Sequence, residues 1–486
     1  MDNDLKVKHL AYNYVLAVSN NKYKPQTIAN LKILESLGKE NIINILSMSI
    51  EDFCHQYKPI KVRDFVYKSD FFTPRNVYLI NPLYYTYYTY LVFLLVSKLS
   101  EEKMDFSKKK MKVFYSGIFD STLNEKQIKK CGEYKTSYTL FQKERKKHLG
   151  RAALKIDVQD FFNSIKIPNL IAKLKEIFGV NQIILDLEYL FEYCELDSLP
   201  QFHYSIASSI LSQIYLTDFD SKVSDLLVRE DLQLIRYVDD IYIIYNSGNY
   251  DKKKNNRVLN EISHFLWEDF LVLNTSKTKM LSPDEYKSII ELYVSEYDED
   301  NFNSFSSEKL IEDKALNVVE DGFLNILIKE LNEIEKKDGV DLDQYINLTH
   351  EYLSINGDDS GKVINNLIFS KKWMYLEDED LKALIYNWKY ILFNPAQFTI
   401  LYILIYRHLE NERIINDEDV RIKNILNYLY NNDLFTFRDS LVAVSYLFQS
   451  NINNQDLLDK IKLVNPEYVY YFELYIQDTS NKYYSS

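Results

Sequence analysis

Two adjacent aspartates, Asp239 and Asp240, stand between the apolar runs Leu234-Ile235-Arg236-Tyr237-Val238 and Ile241-Tyr242-Ile243-Ile244-Tyr245. The pattern predicts a β-hairpin with both carboxylates at its tip. Neighbouring ionised carboxylates repel, and flanking apolar strands limit the water that would relieve them, so a bound divalent cation resolves the conflict. A bare Asp-Asp turn is common and by itself points to nothing. A second element changes its meaning: the strand-like run Leu154-Lys155-Ile156 ends on Asp157, and Phe161-Phe162 follow. Mg²⁺ prefers oxygen ligands and keeps several waters, so Asp157, Asp239 and Asp240 together are the expected set for two ions. Two ions support nucleotidyl transfer, one activating a 3′-hydroxyl and the other steadying the departing pyrophosphate.

These residues need a sheet to hold them. Ala153–Ile156 and Leu232–Val238 read as strands, with helical stretches at Ile167–Phe178 and Tyr204–Leu227, which predicts an α+β core. Upstream, Ile28, Leu31, Ile33, Leu34 and Leu37 recur at helical spacing. Beyond about residue 310 helical patterns follow one another, separated by Asn/Asp clusters, as in a HEAT-like stack of helix pairs, although no strict period is visible. The division expected is 1–150, N-terminal helices and basic fingers; 151–296, the segment with the carboxylates; and 297–486, the helical repeats, with a linker at Tyr297–Glu308.

Composition excludes several alternatives. The chain has 486 residues, 46% hydrophobic and 27% charged, as in ordinary globular domains. Only 10 Gly and 9 Pro are present, and neither G-x-x-x-x-G-K-[ST] nor G-x-G-x-x-G occurs, so P-loop and Rossmann chemistry are ruled out. Cys54, Cys131 and Cys194 are too few and too far apart for a disulfide scaffold or zinc knuckle. His203 and His264 form no metal-ligand spacing. MDNDLKVKHL has no apolar signal core, and Leu83–Leu99 is too short and too rich in tyrosine to span a bilayer comfortably. A soluble, cytoplasmic protein without a membrane partner is expected. The net charge of -13 is unevenly spread. Residues 1–150 carry 25 Lys+Arg against 15 Asp+Glu, whereas residues 291–486 carry 18 against 35. The basic first third can hold a phosphate backbone.

D-V-x-x-F-F-x-S-I from Asp157, with Y-V-D-D placing Asp239 82 residues later, resembles motifs A and C of reverse transcriptases. Ser208–Leu216 with Asp220 resembles the motif B helix, and Leu271–Thr278 resembles motif D, L-x-L-N-x-x-K-T. Arg75–Pro82 is a weaker match to the finger segment that holds the incoming triphosphate. The likeness spans roughly residues 60–290 and implies right-hand polymerase fingers and palm. It implies catalytic roles for Asp157, Asp239, Asp240 and Lys277, substrate contacts for Arg75, Phe162, Gln201 and Ser208, and Mg²⁺ or Mn²⁺ as cofactor. Phe162 would lie under the sugar and exclude a 2′-hydroxyl. The family usually has Pro-Gln-Gly at motif B; here Pro200-Gln201 precedes Phe202, an aromatic that would fill or stack in the space a glycine leaves open.

With its long helical C-terminal half, the chain resembles abortive-infection reverse transcriptases of bacterial antiphage defence. That likeness implies single-stranded DNA made from dNTPs, priming from a tyrosine hydroxyl, either no template or an associated non-coding RNA, and a homo-oligomer, trimer or hexamer. Chain ends are where an exposed phenol is expected, so Tyr12, Tyr14, Tyr23, Tyr483 and Tyr484 are the priming candidates; Tyr84–Tyr90 reads as core. The competing readings are an inactive RNA-binding scaffold, a primer-dependent RNA-templated reverse transcriptase, and an RNA-synthesising palm polymerase.

Overall fold

The computed structural model describes residues 3–19, 25–67, 74–97, 105–117, 119–122, 134–202, 205–246, 251–294, 304–337, 341–355, 360–387, 395–415 and 466–471, with isolated positions between them. The chain forms two compact units. The first is Met1–Asn21, Asn30–Asp64 and Asn76–Val294; the second is Lys22–Ala29, Phe65–Arg75 and Ser295–Ser486.

At the centre of the first unit lies a five-stranded sheet. Taking β1 as Lys61–Tyr67 and β2 as Pro74–Ile80, which pair as a separate ribbon, its strands are β3 (Met111–Phe114), β4 (Ala153–Ile156), β5 (Leu232–Tyr237), β6 (Asp240–Tyr245) and β7 (Lys279–Leu281), in the order β3-β5-β6-β4-β7. Of the neighbouring pairs in this sheet, β3 with β5 is parallel and the rest are antiparallel. β5 and β6 are buried at nearly every position because both faces of the sheet are covered. The division expected at residue 150 does not separate two bodies: β3, from the segment read as fingers, is an edge strand of this sheet.

Helix Pro82–Val96 is buried on all sides. Asn81 caps it by accepting from the Leu83 N–H at 3.0 Å, and Pro82 occupies the first turn, where its missing N–H costs nothing. Its tyrosines satisfy their hydroxyls internally: Tyr87 donates to the Met48 carbonyl at 2.8 Å and Tyr90 to Asp4 at 2.6 Å. The run is core, as expected, and burial pushes both phenols up.

Helix Ile167–Phe178 has the expected bounds and stops at Gly179, whose φ of +69° suits a glycine. The helix expected over Tyr204–Leu227 is instead two, Ile206–Tyr215 and Thr217–Arg229. At the break, the Thr217 hydroxyl donates to the Ile214 carbonyl at 2.8 Å, side chain competing with backbone for the acceptor.

The second unit is helical in its described residues: Ser304–Glu320, Phe323–Lys337, Leu342–Leu353, Ser360–Phe369, Asp378–Tyr386, Pro395–Asn411 and Pro466–Tyr471. The first four pack each on the next around Val318, Leu327, Leu331, Leu353, Val363 and Leu367. Ser304–Glu308, expected as linker, open the first of these helices; Tyr297–Asn303 lie outside the described residues. Among the described residues no helix is long and apolar enough to cross a membrane.

Candidate active site

The antiparallel register sets the carboxylates side by side. Ile156 of β4 pairs with Ile241 of β6, so the next step along both strands sets Asp157 across from Asp240. Tyr237 pairs with Asp240, leaving Val238 and Asp239 as a two-residue turn. Asp157, Asp239 and Asp240 are all half-buried. Burial and the neighbouring charge of Asp240 push the Asp239 carboxyl up to about 7, with Asp157 adding to the effect. Asp240 is also raised, by burial first, against the pull of Lys155. Three hard oxygen donors set side by side are the donor chemistry a Mg²⁺ pair requires. The set is not drawn in: among the described residues no three His, Cys, Asp or Glu side chains close to metal-holding distance.

Asp157 is clamped by a segment 117 residues further along the chain. Leu273 bridges Val158, the Gln159 N–H donates to the Val272 carbonyl at 2.8 Å, and the Asn274 N–H donates to the Asp157 carbonyl at 2.8 Å. Asn274 Nδ2 also donates to Asp157 Oδ2 at 2.9 Å. Ser276 and Thr278 hydroxyls donate to Asn274 at 2.7 and 2.9 Å, tightening the loop until Lys277 Nζ stands 3.6 Å from Asp157 Oδ1. Asn274 was not among the candidates expected above; its place after an L-x-L run was the available signal.

Beyond Asp157, Asp160 turns the chain at φ 43° into the short helix Phe161–Ser164, and Asn163 donates to Asp160 Oδ1 at 2.7 Å. Phe162 is half-buried, edge-on to Phe161 at 5.4 Å. A polar cavity of about 250 Å³ lies behind this turn, lined by Tyr78, Asp160, Asn163, Lys166 and the 195–200 loop. The Gln201 carbonyl accepts from the Tyr78 N–H at 3.0 Å, which ties the motif B entrance to β2.

Phe202 fills rather than stacks: it is 5% exposed and packs edge-on between Tyr85 and Tyr88. Ser208, expected to touch substrate, is instead a core hydroxyl, donating to the Pro200 carbonyl at 2.5 Å and paired with the Tyr88 hydroxyl at 3.0 Å. It braces the loop that carries Gln201. Arg75 lies on β2, but its side chain is outside the described residues.

Two priming candidates are not exposed ends. Tyr12 and Tyr14 are buried in helix Asn3–Ser19, where apolar faces recur every third or fourth residue, and the Tyr14 hydroxyl accepts from the Asp120 N–H at 3.2 Å. Tyr23, Tyr483 and Tyr484 lie outside the described residues, as do Cys131 and His203. His264 is exposed and stacks on Trp267 at 6.1 Å.

Residues 109–303 match the family model described as reverse transcriptase (RNA-dependent DNA polymerase). The match takes in the sheet from β3 to β7 and every residue of the Asp157, Asp239, Asp240, Asn274 and Lys277 site. Comparison with curated proteins finds no match.

Proposed function

We propose that this reverse-transcriptase domain builds single-stranded DNA from dNTPs and that the chain serves antiphage defence. The observation that carries the catalytic reading is the strand register that sets Asp157 beside Asp240 with Asp239 on the adjoining turn. Mg²⁺ held by these three carboxylates would supply the charge that activates a hydroxyl nucleophile and offsets the departing pyrophosphate. The chain's own residues do the rest. The Asn274 loop fixes one Asp157 oxygen and leaves the other toward Lys277, which brings a cation to the place where triphosphate charge must gather. Phe162 borders the nucleotide sugar.

The defence role, a priming tyrosine, an associated non-coding RNA or no template, a homo-oligomer and a HEAT-like C-terminal half are supported by the likeness to abortive-infection reverse transcriptases. Phe202 filling the space of the family's motif B glycine accords with unusual template handling.

The test is incubation of the full chain with labelled dNTPs and Mg²⁺, without and then with added RNA and primer. Label should be incorporated, require the metal, remain at protein mass on a denaturing gel, and vanish in the Asp239→Asn, Asp240→Asn variant. No incorporation under any of these conditions would defeat the polymerase reading; product free of protein would defeat protein priming alone.

A further inference from the structure

The structure assigns to Arg236 the positioning of the Asp239 turn: its guanidinium links the Val238 carbonyl to the two helices behind the sheet, so that the metal-holding geometry depends on a residue that never meets substrate. This rests on the polymerase reading above.

Arg236 lies on β5 opposite Ile241, on the sheet face away from Asp157 and Asp240, and is 0% exposed. Nη2 pairs with Asp220 Oδ2 at 2.5 Å, and Nη1 donates to Gln213 Oε1 at 2.5 Å and to the Val238 carbonyl at 3.1 Å. Gln213 is itself oriented, donating to the Ser209 carbonyl at 3.2 Å and to Ser212 Oγ at 3.0 Å. A buried ion pair is poor evidence of a stabilising role, because apolar residues of similar volume serve as well or better. The third contact distinguishes this one.

Val238 stands at φ 53°, in the left-handed region that a β-branched side chain rarely adopts, and is 5% exposed. Two-residue hairpin turns usually meet that demand with Asn or Gly. Here both peptide groups around Val238 are tethered: its N–H donates to the Phe114 carbonyl at 3.1 Å and its carbonyl takes the Arg236 bond. The next residue is Asp239. Releasing the carbonyl lets the turn relax toward negative φ and swings Asp239 away from Asp157 and Asp240. The same helix that holds Arg236 through Gln213 braces the Pro200 loop through Ser208, so the nucleotide side and the metal side share one strut.

Arg236→Lys keeps a cation beside Asp220 but cannot span three acceptors. Its expected signature is a kcat for dNTP incorporation lowered roughly 10- to 100-fold, the range for residues that orient metal ligands, a half-saturating Mg²⁺ concentration raised by a similar factor, and an unchanged KM for dNTP. Terbium luminescence sensitised by tyrosine, with the Asp239→Asn, Asp240→Asn signal subtracted, should show the same weakening without any turnover. Val238→Gly added to Arg236→Lys should restore much of both, because glycine takes positive φ freely. Asp220→Asn, which spoils the ion pair and spares the Val238 bond, should lower the melting temperature and leave terbium binding near wild type.

If Arg236→Lys lowers only the melting temperature, with terbium affinity and kcat per folded molecule at wild-type values, the positioning role is wrong. Should that variant not fold, Arg236→Met with Asp220→Leu removes both buried charges together and is held to the same measurements. A wild type that binds terbium at the aspartates yet incorporates no nucleotide defeats the polymerase reading and leaves the Arg236 result to be judged on terbium alone.

Discussion

Asn274 donates from Nδ2 to Asp157 Oδ2 at 2.9 Å while its own N–H donates to the Asp157 carbonyl at 2.8 Å, across 117 residues of chain. The two bonds fix both the backbone and the carboxylate plane at the end of β4. One side-chain oxygen is thereby satisfied, and the other stays toward the site and Lys277.

Asn274→Ala should lower incorporation roughly 10- to 100-fold, as loss of a group orienting a metal ligand commonly does, with a stability cost near 1 kcal/mol. Asn274→Asp should be worse, since a fourth carboxylate then faces Asp157. Steady-state rates and thermal melts of both variants check this. Wild-type rates in both would remove Asn274 from the site.

Asp239 has its carboxyl pushed from an ordinary 3.8 up to about 7, chiefly by burial and Asp240. Between those values the folded protein holds a proton that the unfolded chain has released, so through this group stability rises as pH falls from about 7 toward 4, and the penalty is full above 7. In EDTA, Asp239→Asn should melt above wild type at pH 8, the gap narrowing by pH 4.5. Mg²⁺ should raise the wild-type melting temperature at pH 8 and do so far less for the variant. A gap that is constant with pH contradicts the assignment.

Phe162 is the proposed boundary below the sugar. Phe162→Ala and Phe162→Val should admit ribonucleotides while largely sparing dNTP use, measured by competition between matched dNTP and rNTP. Unchanged discrimination in both would sink the idea.

Tyr12 and Tyr14 lie in the core, so Phe at either should leave DNA attachment unchanged, and losing the Tyr14 hydroxyl's bond to Asp120 should cost about 1 kcal/mol. Attachment is expected to map to Tyr23, Tyr483 or Tyr484. Peptide mapping of the nucleotide-bearing residue decides, and synthesis undiminished when all three are Phe would move priming elsewhere.

The alternation of β-branched and aromatic residues around Asp157 and Asp239-Asp240 was enough to place strands, a hairpin and two carboxylate-bearing elements, because side-chain period and turn length are local properties of the chain. Helix Ile167–Phe178 and the buried Tyr84–Tyr90 run were legible for the same reason. What local pattern does not hold is who stands opposite whom. A hydroxyl such as Ser208 reads alike whether it meets substrate or the Pro200 carbonyl, and a phenol near a chain end reads alike whether it is loose or, like Tyr14, packed against Phe93 at 5.2 Å. Asn274 on Asp157, and Arg236 on Gln213 and Asp220, arise only when separate elements of the chain pack together. Tertiary packing alone decided that Phe202 fills the core and that a valine is held at positive φ beside Asp239. In each case long-range contacts outweighed a local preference of about a kilocalorie.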